Sequence, residues 1–293
     1  MKILIIGASG FIGKHLVRAI KIHHSITVLL QFESDKLSIP SDVKSIIYDK
    51  SNVSNIEECI RKEKISGIIH LASLFLKDHK LDQIRELIDS NILLGTQILE
   101  IASKSGVKWF INTGTFWQHY NNEDYNPVNL YAATKQAFEN IGKYYIETSD
   151  IKFVTLKLND TFGPNDTRPK IFSLWDKISK SDETLDMSPG NQIIDISYID
   201  NITAAYEKLI EILESDGTDI NGKSFALYSE NRLTLKELAR LFEKFTNRKL
   251  KINWGGKPYR EREVMEPWKS GDSIPDFKNI ISLEKSIQSF LGK

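Results

Sequence analysis

Short apolar runs alternate with longer amphipathic stretches through the first half of the chain. The apolar runs, often β-branched, are typical of buried parallel strands, and the amphipathic stretches are typical of helices. The predicted strands are 2–6, 26–30, 44–48, 67–71, 107–112 and 152–158. The predicted helices are 11–22, 54–62, 80–104 and 127–149. This alternation predicts an α/β fold, a doubly wound parallel sheet with helices on both faces.

The pattern changes in the last third of the chain. Residues 164–192 are rich in Pro, Asp, Lys and Ser, and residues 215–293 mix short helical patterns with loops. Between them, 193–213 contains another helical pattern, and Asp200 stands where its N-cap is expected. We favour this capping role over a catalytic role for Asp200.

Three glycines follow the first predicted strand. Gly7, Gly10 and Gly13 stand between the apolar run Ile3–Ile6 and the amphipathic pattern Lys14–Ile20. Glycine permits a tight turn and lets the backbone approach a pyrophosphate at a helix N-terminus. The spacing is G-x-x-G-x-x-G, and in this strand–turn–helix context it predicts a nucleotide-binding loop.

Tyr131 and Lys135 are the second chemical signal. Their four-residue spacing places both side chains on one face of a helix. There the ammonium group would lower the pKa of a phenol that otherwise titrates near ~10. Such a tyrosine can exchange a proton with a substrate oxygen. A solvated surface pair is the alternative, and the glycine turn favours the functional interpretation.

Composition narrows the class of protein. The 293 residues include 39 basic and 39 acidic side chains, so neither nucleic acid nor an anionic membrane is an expected partner. Cys59 is the sole cysteine, which excludes an intramolecular disulfide and a cysteine metal cluster and favours a buried structural thiol. No metal site is expected. Neither a signal peptide nor an apolar run of roughly 20 residues is seen, so we expect a soluble, cytoplasmic protein.

Three further motifs complete a family pattern. They are His70-Leu71-Ala72 at the end of a strand, Asn91 in a predicted helix, and Thr113 within the run 112–117. With the glycine turn and the Tyr131–Lys135 pair, they resemble the extended short-chain dehydrogenase/reductase family, also called the NAD-dependent epimerase/dehydratase family. The resemblance covers nearly the whole chain.

The resemblance implies a Rossmann-type cofactor domain and a smaller C-terminal α/β domain that closes over a nucleotide sugar. The cofactor domain would comprise 1–163, with 193–213 returning to it, and the substrate domain would comprise 164–192 and 214–293. In many relatives the helices that correspond to 80–104 and 127–149 form a homodimer. We therefore expect a homodimer here.

The resemblance also assigns catalytic roles. Hydride would reach the carbon of a carbonyl group while Tyr131 donates a proton to its oxygen. Lys135 would hold the cofactor ribose and keep the phenol acidic. Thr113 would orient the carbonyl oxygen. A structural strand-end threonine is the alternative for Thr113. The cofactor-binding residues implied, besides Tyr131 and Lys135, are Gly7, Ser9, Gly10, Phe11, Ile12, Gly13, Gln31, Asp49, Leu71, Ala72 and Asn91. A turn aspartate is the alternative for Asp49.

The end of the second strand bears on the choice of nicotinamide cofactor. NAD-specific sheets usually carry an acid there that binds the ribose 2′-hydroxyl. Here Gln31 follows the strand, and Glu33 and Asp35 come late. We therefore favour NADP(H) over NAD(H). The candidate cations for a 2′-phosphate are Lys14 and Lys36.

The expected substrate is a nucleotide-diphosphate sugar. The run 158–164 is similar to a motif of nucleotide-sugar enzymes, except that Asp160 replaces an asparagine and would repel phosphate. Arg168 and Lys170 are candidate diphosphate ligands, with a solvated basic loop as the equal alternative, and Arg260 is the candidate for a diphosphate arginine found in relatives. The substrate-binding candidates are Thr115, Asp160, Arg168, Lys170 and Arg260. His119 and Tyr120 are expected to line or flank the pocket.

Within the family, the chain resembles reductases of CDP- or dTDP-4-keto-6-deoxyhexoses, which make deoxysugars for bacterial surface polysaccharides such as the lipopolysaccharide O-antigen. Gly114 and Thr115 replace the Asp–Glu pair of 4,6-dehydratases, which argues against dehydration. Cys59 lies far from the position of the cysteine that GDP-fucose synthases use. A 4-epimerase with tightly held NAD stays open. A non-catalytic cofactor sensor is a second alternative, and the intact Thr113, Tyr131 and Lys135 argue against it.

Overall fold

The structure is a computed structural model that describes residues 1–50, 53–215 and 217–290. In this part of the chain the strands are β1 (Lys2–Ile6), β2 (Ser25–Leu30), β3 (Lys44–Ile47), β4 (Gly67–His70), β5 (Trp109–Thr115), β6 (Lys152–Leu158), β7 (Asp160–Phe162), β8 (Leu185–Met187), β9 (Ile193–Ile194), β10 (Ile196–Tyr198), β11 (Ser224–Ala226), β12 (Leu233–Thr234) and β13 (Ile252–Trp254). The helices are α1 (Phe11–Ile20), α2 (Ser54–Glu63), α3 (Ile84–Ile88), α4 (Leu94–Lys104), α5 (Leu130–Thr148), α6 (Ile171–Ile178), α7 (Ile199–Glu214), α8 (Leu235–Thr246) and α9 (Leu283–Phe290).

A seven-stranded parallel sheet organises the molecule, in the order β11-β6-β5-β4-β1-β2-β3. Its side chains alternate between two faces, as the two-residue period of a strand requires. From β1, Ile3 and Ile5 enter an apolar cluster with α1 and α7, whereas Leu4 and Ile6 enter a second cluster with α2, α4 and α5. Helices therefore cover both faces, and the doubly wound α/β prediction is confirmed.

The predicted elements of the first half are found within a few residues of their expected limits, apart from the helix at 80–104. In its place α3 and α4 are joined by a single π-helical stretch, Asp89–Leu93. A π turn inserts one extra residue into the helix and changes the direction of the side chains around it. That change directs the Asn91 side chain towards neighbouring loops.

The glycine turn after β1 is tightly enclosed. Gly7 has φ +88°, and a Cβ added to it would lie 2.5 Å from the backbone nitrogen of Ala72. A Cβ on Gly13 would lie 2.2 Å from the carbonyl oxygen of Gly7. Because these neighbours are backbone atoms and cannot move aside, both positions require glycine.

Smaller pairings build the rest of the molecule: β7 with β10, β9 with β12 and β8 with β13. The helix α7 packs against α1. The division of the chain into two domains stays a prediction. The expected N-cap at Asp200 is wrong, because β10 runs directly into α7 and Tyr198 occupies the cap position. Asp200 lies in the first turn, where its charge still favours the helix dipole.

Cys59 is buried in α2, and burial raises the pKa of its thiol, which fits a structural role. Across residues 1–50, 53–215 and 217–290, no helix has the length and apolar character needed to span a bilayer. Among the same residues, no three His, Cys, Asp or Glu side chains are grouped so that they could hold a metal ion.

Candidate active site

A cleft of about 270 Å³ opens at the carboxyl ends of β1, β2 and β4. Six of the predicted cofactor residues line it: Gly7, Ser9, Gly10, Gln31, Leu71 and Ala72. Carboxyl ends of parallel strands next to a helix N-terminus form the usual dinucleotide site of such sheets. The enclosed backbone at Gly7 and Gly13 is a cradle that a Cβ would fill. The cleft therefore fits a dinucleotide.

The remaining predicted cofactor residues surround this cleft. Phe11 and Ile12 open α1 directly after Gly10, which is its N-cap. Asp49 lies between Tyr48 and Lys50, and both of these neighbours line the cleft. Sequence reasoning missed residues of the cleft that come from the segment before α2, from α3 and from the π-helical stretch after it: Tyr48, Lys50, Glu86, Asp89 and Ser90.

Asn91 is buried and connects the loop after β4 to α5. Its side-chain oxygen accepts a hydrogen bond from the Leu74 nitrogen at 2.7 Å, and its amide nitrogen donates to the Leu74 oxygen at 3.0 Å. The same amide donates to the Thr134 hydroxyl at 2.9 Å, and that hydroxyl donates to the Tyr131 carbonyl at 2.7 Å. In this structure Asn91 therefore helps to fix the backbone that carries Tyr131.

The predicted pair lies in the first two turns of α5. The helix begins after Asn129, whose side-chain oxygen accepts from the Ala132 nitrogen at 3.0 Å. Tyr131 is partly buried, and Lys135 is 2% exposed. Burial lowers the pKa of Lys135 to about 8, opposed by the negative charge of Glu139.

The pKa of Tyr131 differs from the sequence-based expectation. Burial raises it to about 12, and a hydrogen bond to Ser73 opposes that rise. We expected the Lys135 ammonium to lower this pKa. Withdrawal of the phenol from water penalises the phenolate, so the pKa rises instead. Tyr131 is therefore a protonated phenol at neutral pH.

Thr113 lies near the end of β5, where the family pattern requires a hydroxyl. Its Oγ1 is 2.7 Å from the phenol oxygen of Tyr206 in α7. Sequence reasoning missed Tyr206, which is 93 positions away and stands within an apolar helical pattern. Burial raises the pKa of Tyr206, and its hydrogen bond with Thr113 opposes that rise.

An aromatic wall stands beside Tyr131 and consists of Phe75 and Trp117. The Phe75 ring meets the Tyr131 ring edge-on at 5.0 Å between centroids and the Trp117 ring at 5.6 Å. Phe75 remains 47% exposed. Two cations flank the wall, with Lys170 Nζ 5.6 Å from the Phe75 centroid and the Arg260 guanidinium carbon 6.0 Å from the Trp117 centroid. The structure thus gathers residues from four separated segments, around positions 75, 117–131, 170 and 260.

The other predicted substrate residues already have protein partners. Lys170 pairs with Asp160 at 3.0 Å, so the carboxylate that we expected to repel phosphate is accompanied by a cation. Arg260 lies 3.6 Å from Glu263 and is 47% exposed at its side chain. Thr115 is buried, and its hydroxyl accepts a hydrogen bond from the Trp117 nitrogen at 3.3 Å.

Arg168 is held against the cofactor loop. Its guanidinium donates to both carboxylate oxygens of Asp166 at 2.7 Å and to the Thr161 hydroxyl at 2.9 Å, and it lies 4.2 Å from the Phe11 ring centroid. The Asp166 side chain is 1% exposed. Arg168 therefore links the segment after β7 to the start of α1, which differs from the solvated basic loop that we considered.

A buried polar network flanks the pocket and includes His119. Its ring stacks on Trp268 at 3.8 Å between centroids, and its Nε2 lies 2.9 Å from Lys157 Nζ. Lys157 also pairs with the buried Glu139 at 3.3 Å. Burial lowers the pKa of His119, and the Lys157 charge adds to this. Lys157 also lies 5.2 Å from the Trp268 ring centroid, so the network holds Trp268 against β6.

A family model described as the NAD dependent epimerase/dehydratase family matches residues 3–221. The chain belongs to this family. Among the relatives of this family member, CDP-abequose synthase of Salmonella muenchen is 30% identical, over 99% of this chain and 97% of the relative. CDP-abequose synthase of Yersinia pseudotuberculosis is 27% identical, over 91% of this chain and 92% of the relative.

Solved structures of the family agree with the fold. UDP-glucuronic acid 4-epimerase from Bacillus cereus, in complex with UDP-glucuronic acid and NAD, matches with a TM-score of 0.84 and 20% identity, over 100% of this chain and 98% of that one. UDP-glucose 4-epimerase from Thermotoga maritima, solved with UDP-glucose, matches with a TM-score of 0.82 and 18% identity. The match covers 100% of this chain and 98% of that one. At these identities the likeness establishes the fold of this family member.

Proposed function

We propose that this protein reduces the 4-keto group of a CDP- or dTDP-4-keto-6-deoxyhexose with NAD(P)H, in deoxysugar biosynthesis for a surface polysaccharide. The observation that carries the proposal is the placement of Tyr131 and Lys135 in the first two turns of α5, with the Tyr131 ring against the aromatic wall of Phe75 and Trp117. Reduction of a carbonyl needs a proton donor at the oxygen. The Tyr131 phenol can be that donor because it already carries its proton at neutral pH.

The nicotinamide, when bound, supplies hydride to the carbonyl carbon. The protein residues act on the oxygen of the same group. Thr113 donates a hydrogen bond that orients it, and Tyr131 donates its proton as negative charge develops. Lys135 keeps its positive charge at neutral pH, holds the cofactor ribose and stabilises the phenolate that remains.

The wall of Phe75 and Trp117 supports a deoxyhexose. A methyl group at C6 is apolar and can pack on the exposed face of Phe75, whereas a hydroxymethyl or carboxylate group there would lose hydrogen bonds to water. Lys170 and Arg260, on either side of the wall, offer positive charge to a diphosphate. Asp160 and Thr115 would complete the sugar site, and Arg168 would act through the loop it fixes.

The curated relatives named CDP-abequose synthase support this substrate class. A 4-epimerase is the second candidate, because the structural neighbours named above are 4-epimerases. Epimerisation requires Tyr131 to accept a proton before it returns one. Net consumption of NADPH separates the two activities, because 4-epimerisation involves no net oxidation of the cofactor.

We propose NADPH as the preferred reductant. Gln31 occupies the end of β2 within the cleft, and Lys50, which lies 3.9 Å from Asp89 and is 60% exposed at its side chain, lines the same cleft. Lys36, one of the cations considered from sequence, instead pairs with Glu33 at 2.7 Å. NADH is the alternative, because the Bacillus cereus neighbour was solved with NAD. The ratio of kcat/KM for the two reductants decides between them.

We also propose a homodimer formed through α4 and α5. Exposed apolar side chains on this side of the molecule include Ile88, Leu93 and Tyr144, the last of them 62% exposed. Burial of such side chains is a typical driving force for association. Light scattering at micromolar concentration should give twice the chain mass, and a monomer mass would contradict the dimer.

The proposed activity is tested by the loss of NADPH absorbance with CDP- and dTDP-4-keto-6-deoxyglucose, each made in situ by its dehydratase. We expect consumption with one of the two sugars. Absence of consumption with both, under NADPH and NADH alike, would contradict the reductase. Interconversion of UDP- or CDP-hexoses by protein that retains bound NAD would then establish the epimerase.

A further inference from the structure

Tyr206 brings a polar group to the reacting end of β5 from the opposite side of the sheet to α5. It lies in α7, is fully buried, and belongs to the apolar cluster that also contains Ile202 and Leu209. Its phenol oxygen is 2.7 Å from Thr113 Oγ1. A buried hydroxyl needs such a partner, because an unsatisfied one loses its hydrogen bonds to water without replacement.

The direction of this hydrogen bond decides what Thr113 can do. Each of the two hydroxyls has one proton. When Tyr206 donates, Thr113 accepts and keeps its own proton for another acceptor. When Thr113 donates, that proton is used on Tyr206 and none remains for a substrate oxygen.

Donation by Tyr206 is the favoured direction. A phenol is more acidic than an aliphatic alcohol and is therefore the stronger donor. Burial raises the pKa of Tyr206, so the phenol keeps its proton at neutral pH and has one to donate. The accepted hydrogen bond in turn polarises the Thr113 hydroxyl and strengthens its own donation.

We propose that Tyr206 is a positioning residue that donates to Thr113 and thereby directs the Thr113 proton to the carbonyl oxygen of the substrate. The inference rests on the proposed function to the extent that Thr113 acts on the reacting oxygen, a role that the reductase and the 4-epimerase share. Tyr206 itself does not touch the substrate.

The test is a double-mutant cycle of Tyr206→Phe and Thr113→Val in the wild-type chain. Tyr206→Phe removes one oxygen atom and should lower kcat about tenfold, with KM for the nicotinamide cofactor unchanged. In the Thr113→Val background the same substitution should cause no further loss of kcat. A structural role for Tyr206 would instead give the same fold-loss in both backgrounds.

Tyr145→Phe is the matched control. Tyr145 is also a buried tyrosine with a hydrogen-bonded hydroxyl, which donates to Glu100 at 2.8 Å in a different cluster. We expect this variant to keep the wild-type kcat. An equal loss of kcat in Tyr145→Phe and Tyr206→Phe would overturn the proposal, because it would show a general effect of removing a buried hydroxyl.

A second pair of variants covers the case in which Thr113→Val fails to fold. Thr113→Ser keeps the hydroxyl and should retain most of kcat, and it should lose about tenfold when Tyr206→Phe is added. Unchanged activity of Tyr206→Phe in either hydroxyl background would overturn the proposal. Failure of the wild-type chain to reduce keto sugars would contradict the proposed function alone, and the cycle would then be measured on 4-epimerisation.

Discussion

The proposed cofactor half and the proposed substrate half of the site, called the cofactor half and the substrate half below, are built differently. The cofactor half uses strand ends and the first turn of α1, and its contacts are largely backbone contacts, as at Gly7 and Gly13. The substrate half gathers side chains from distant segments, and its charges are paired within the protein, as in Lys170–Asp160 and Arg168–Asp166. One half is therefore defined by local backbone geometry and the other by long-range side-chain pairing.

This difference separates residues that the backbone geometry requires from residues whose role depends on their side-chain partners. A residue that the backbone geometry requires can be recognised from its local pattern. The function of a charged residue in a loop can be assigned only when its partners in the folded structure are known. Tyr131 stands at the junction, because Asn91 from the cofactor half fixes its backbone and Phe75 from the substrate half covers its ring.

The largest expected effect comes from Tyr131→Phe, at the junction of the two halves. Removal of the proton donor should lower kcat by about 10³-fold or more, because general acid catalysis typically contributes up to about 10⁴-fold. The Kd for NADPH, measured by fluorescence titration, should change little. Retention of more than about a tenth of wild-type kcat would show that another group donates the proton.

Gly13→Ala tests the backbone constraint of the cofactor half. The added Cβ would lie 2.2 Å from the Gly7 oxygen and 2.6 Å from the Ala8 Cα, so we expect a loss of about 3 kcal/mol or more in unfolding free energy, together with lost cofactor binding. Gly10→Ala is the control for stability, since its Cβ would meet the same oxygen at 3.3 Å. Urea unfolding measures both, and equal stability of the two variants would contradict the account.

Arg168→Ala and Arg260→Ala separate pairing from substrate binding within the substrate half. Arg168→Ala leaves the buried Asp166 carboxylate without its cation and should cost about 3 kcal/mol of unfolding free energy. Arg260→Ala should leave stability nearly unchanged and raise KM for the nucleotide sugar about tenfold, because a charge-assisted contact is lost. A loss of stability in Arg260→Ala together with a raised KM in Arg168→Ala would contradict this assignment, because it would make Arg260 the structural arginine and Arg168 the substrate ligand.

The smallest expected effect concerns the pH dependence of stability, and it is seen by comparing one histidine from each half. His70, at the end of β4, is 1% exposed and has no hydrogen-bond partner at either ring nitrogen among residues 1–50, 53–215 and 217–290, whereas His119 has partners at both. Burial lowers the pKa of His70 to about 3, and the Lys135 charge adds to this. Between pH 6.5 and 3 the unfolded chain binds a proton at His70 that the folded chain does not.

Stability should therefore fall with falling pH, by about 1.4 kcal/mol per pH unit below pH 6.5, through this one residue. Above pH 6.5 His70 should contribute no pH dependence. Urea unfolding between pH 7 and pH 5.5 should show a smaller slope for His70→Leu than for the wild-type protein. Identical slopes would mean that His70 is protonated in the folded state.

The comparison also explains how much the sequence could predict. The doubly wound sheet followed from the apolar pattern, and the placement of Gly7 and Leu71 at the cleft followed from motifs at strand ends. The burial that raises the pKa of Tyr131 depends on tertiary packing and could not be read from its spacing to Lys135. Tyr206 reaches Thr113 from across the sheet, so no local pattern indicates it.

The most direct test of the central claim follows the hydride itself. The protein is incubated with the keto sugar and NADPH that carries deuterium at both hydrogen positions of C4 of the nicotinamide, and the product is examined by NMR. The account predicts one deuterium at C4 of the sugar for each NADP⁺ formed, and loss of this product in Tyr131→Phe. A 6-deoxyhexose product without deuterium at C4, or a pair of C4 epimers formed without net cofactor oxidation, would contradict it.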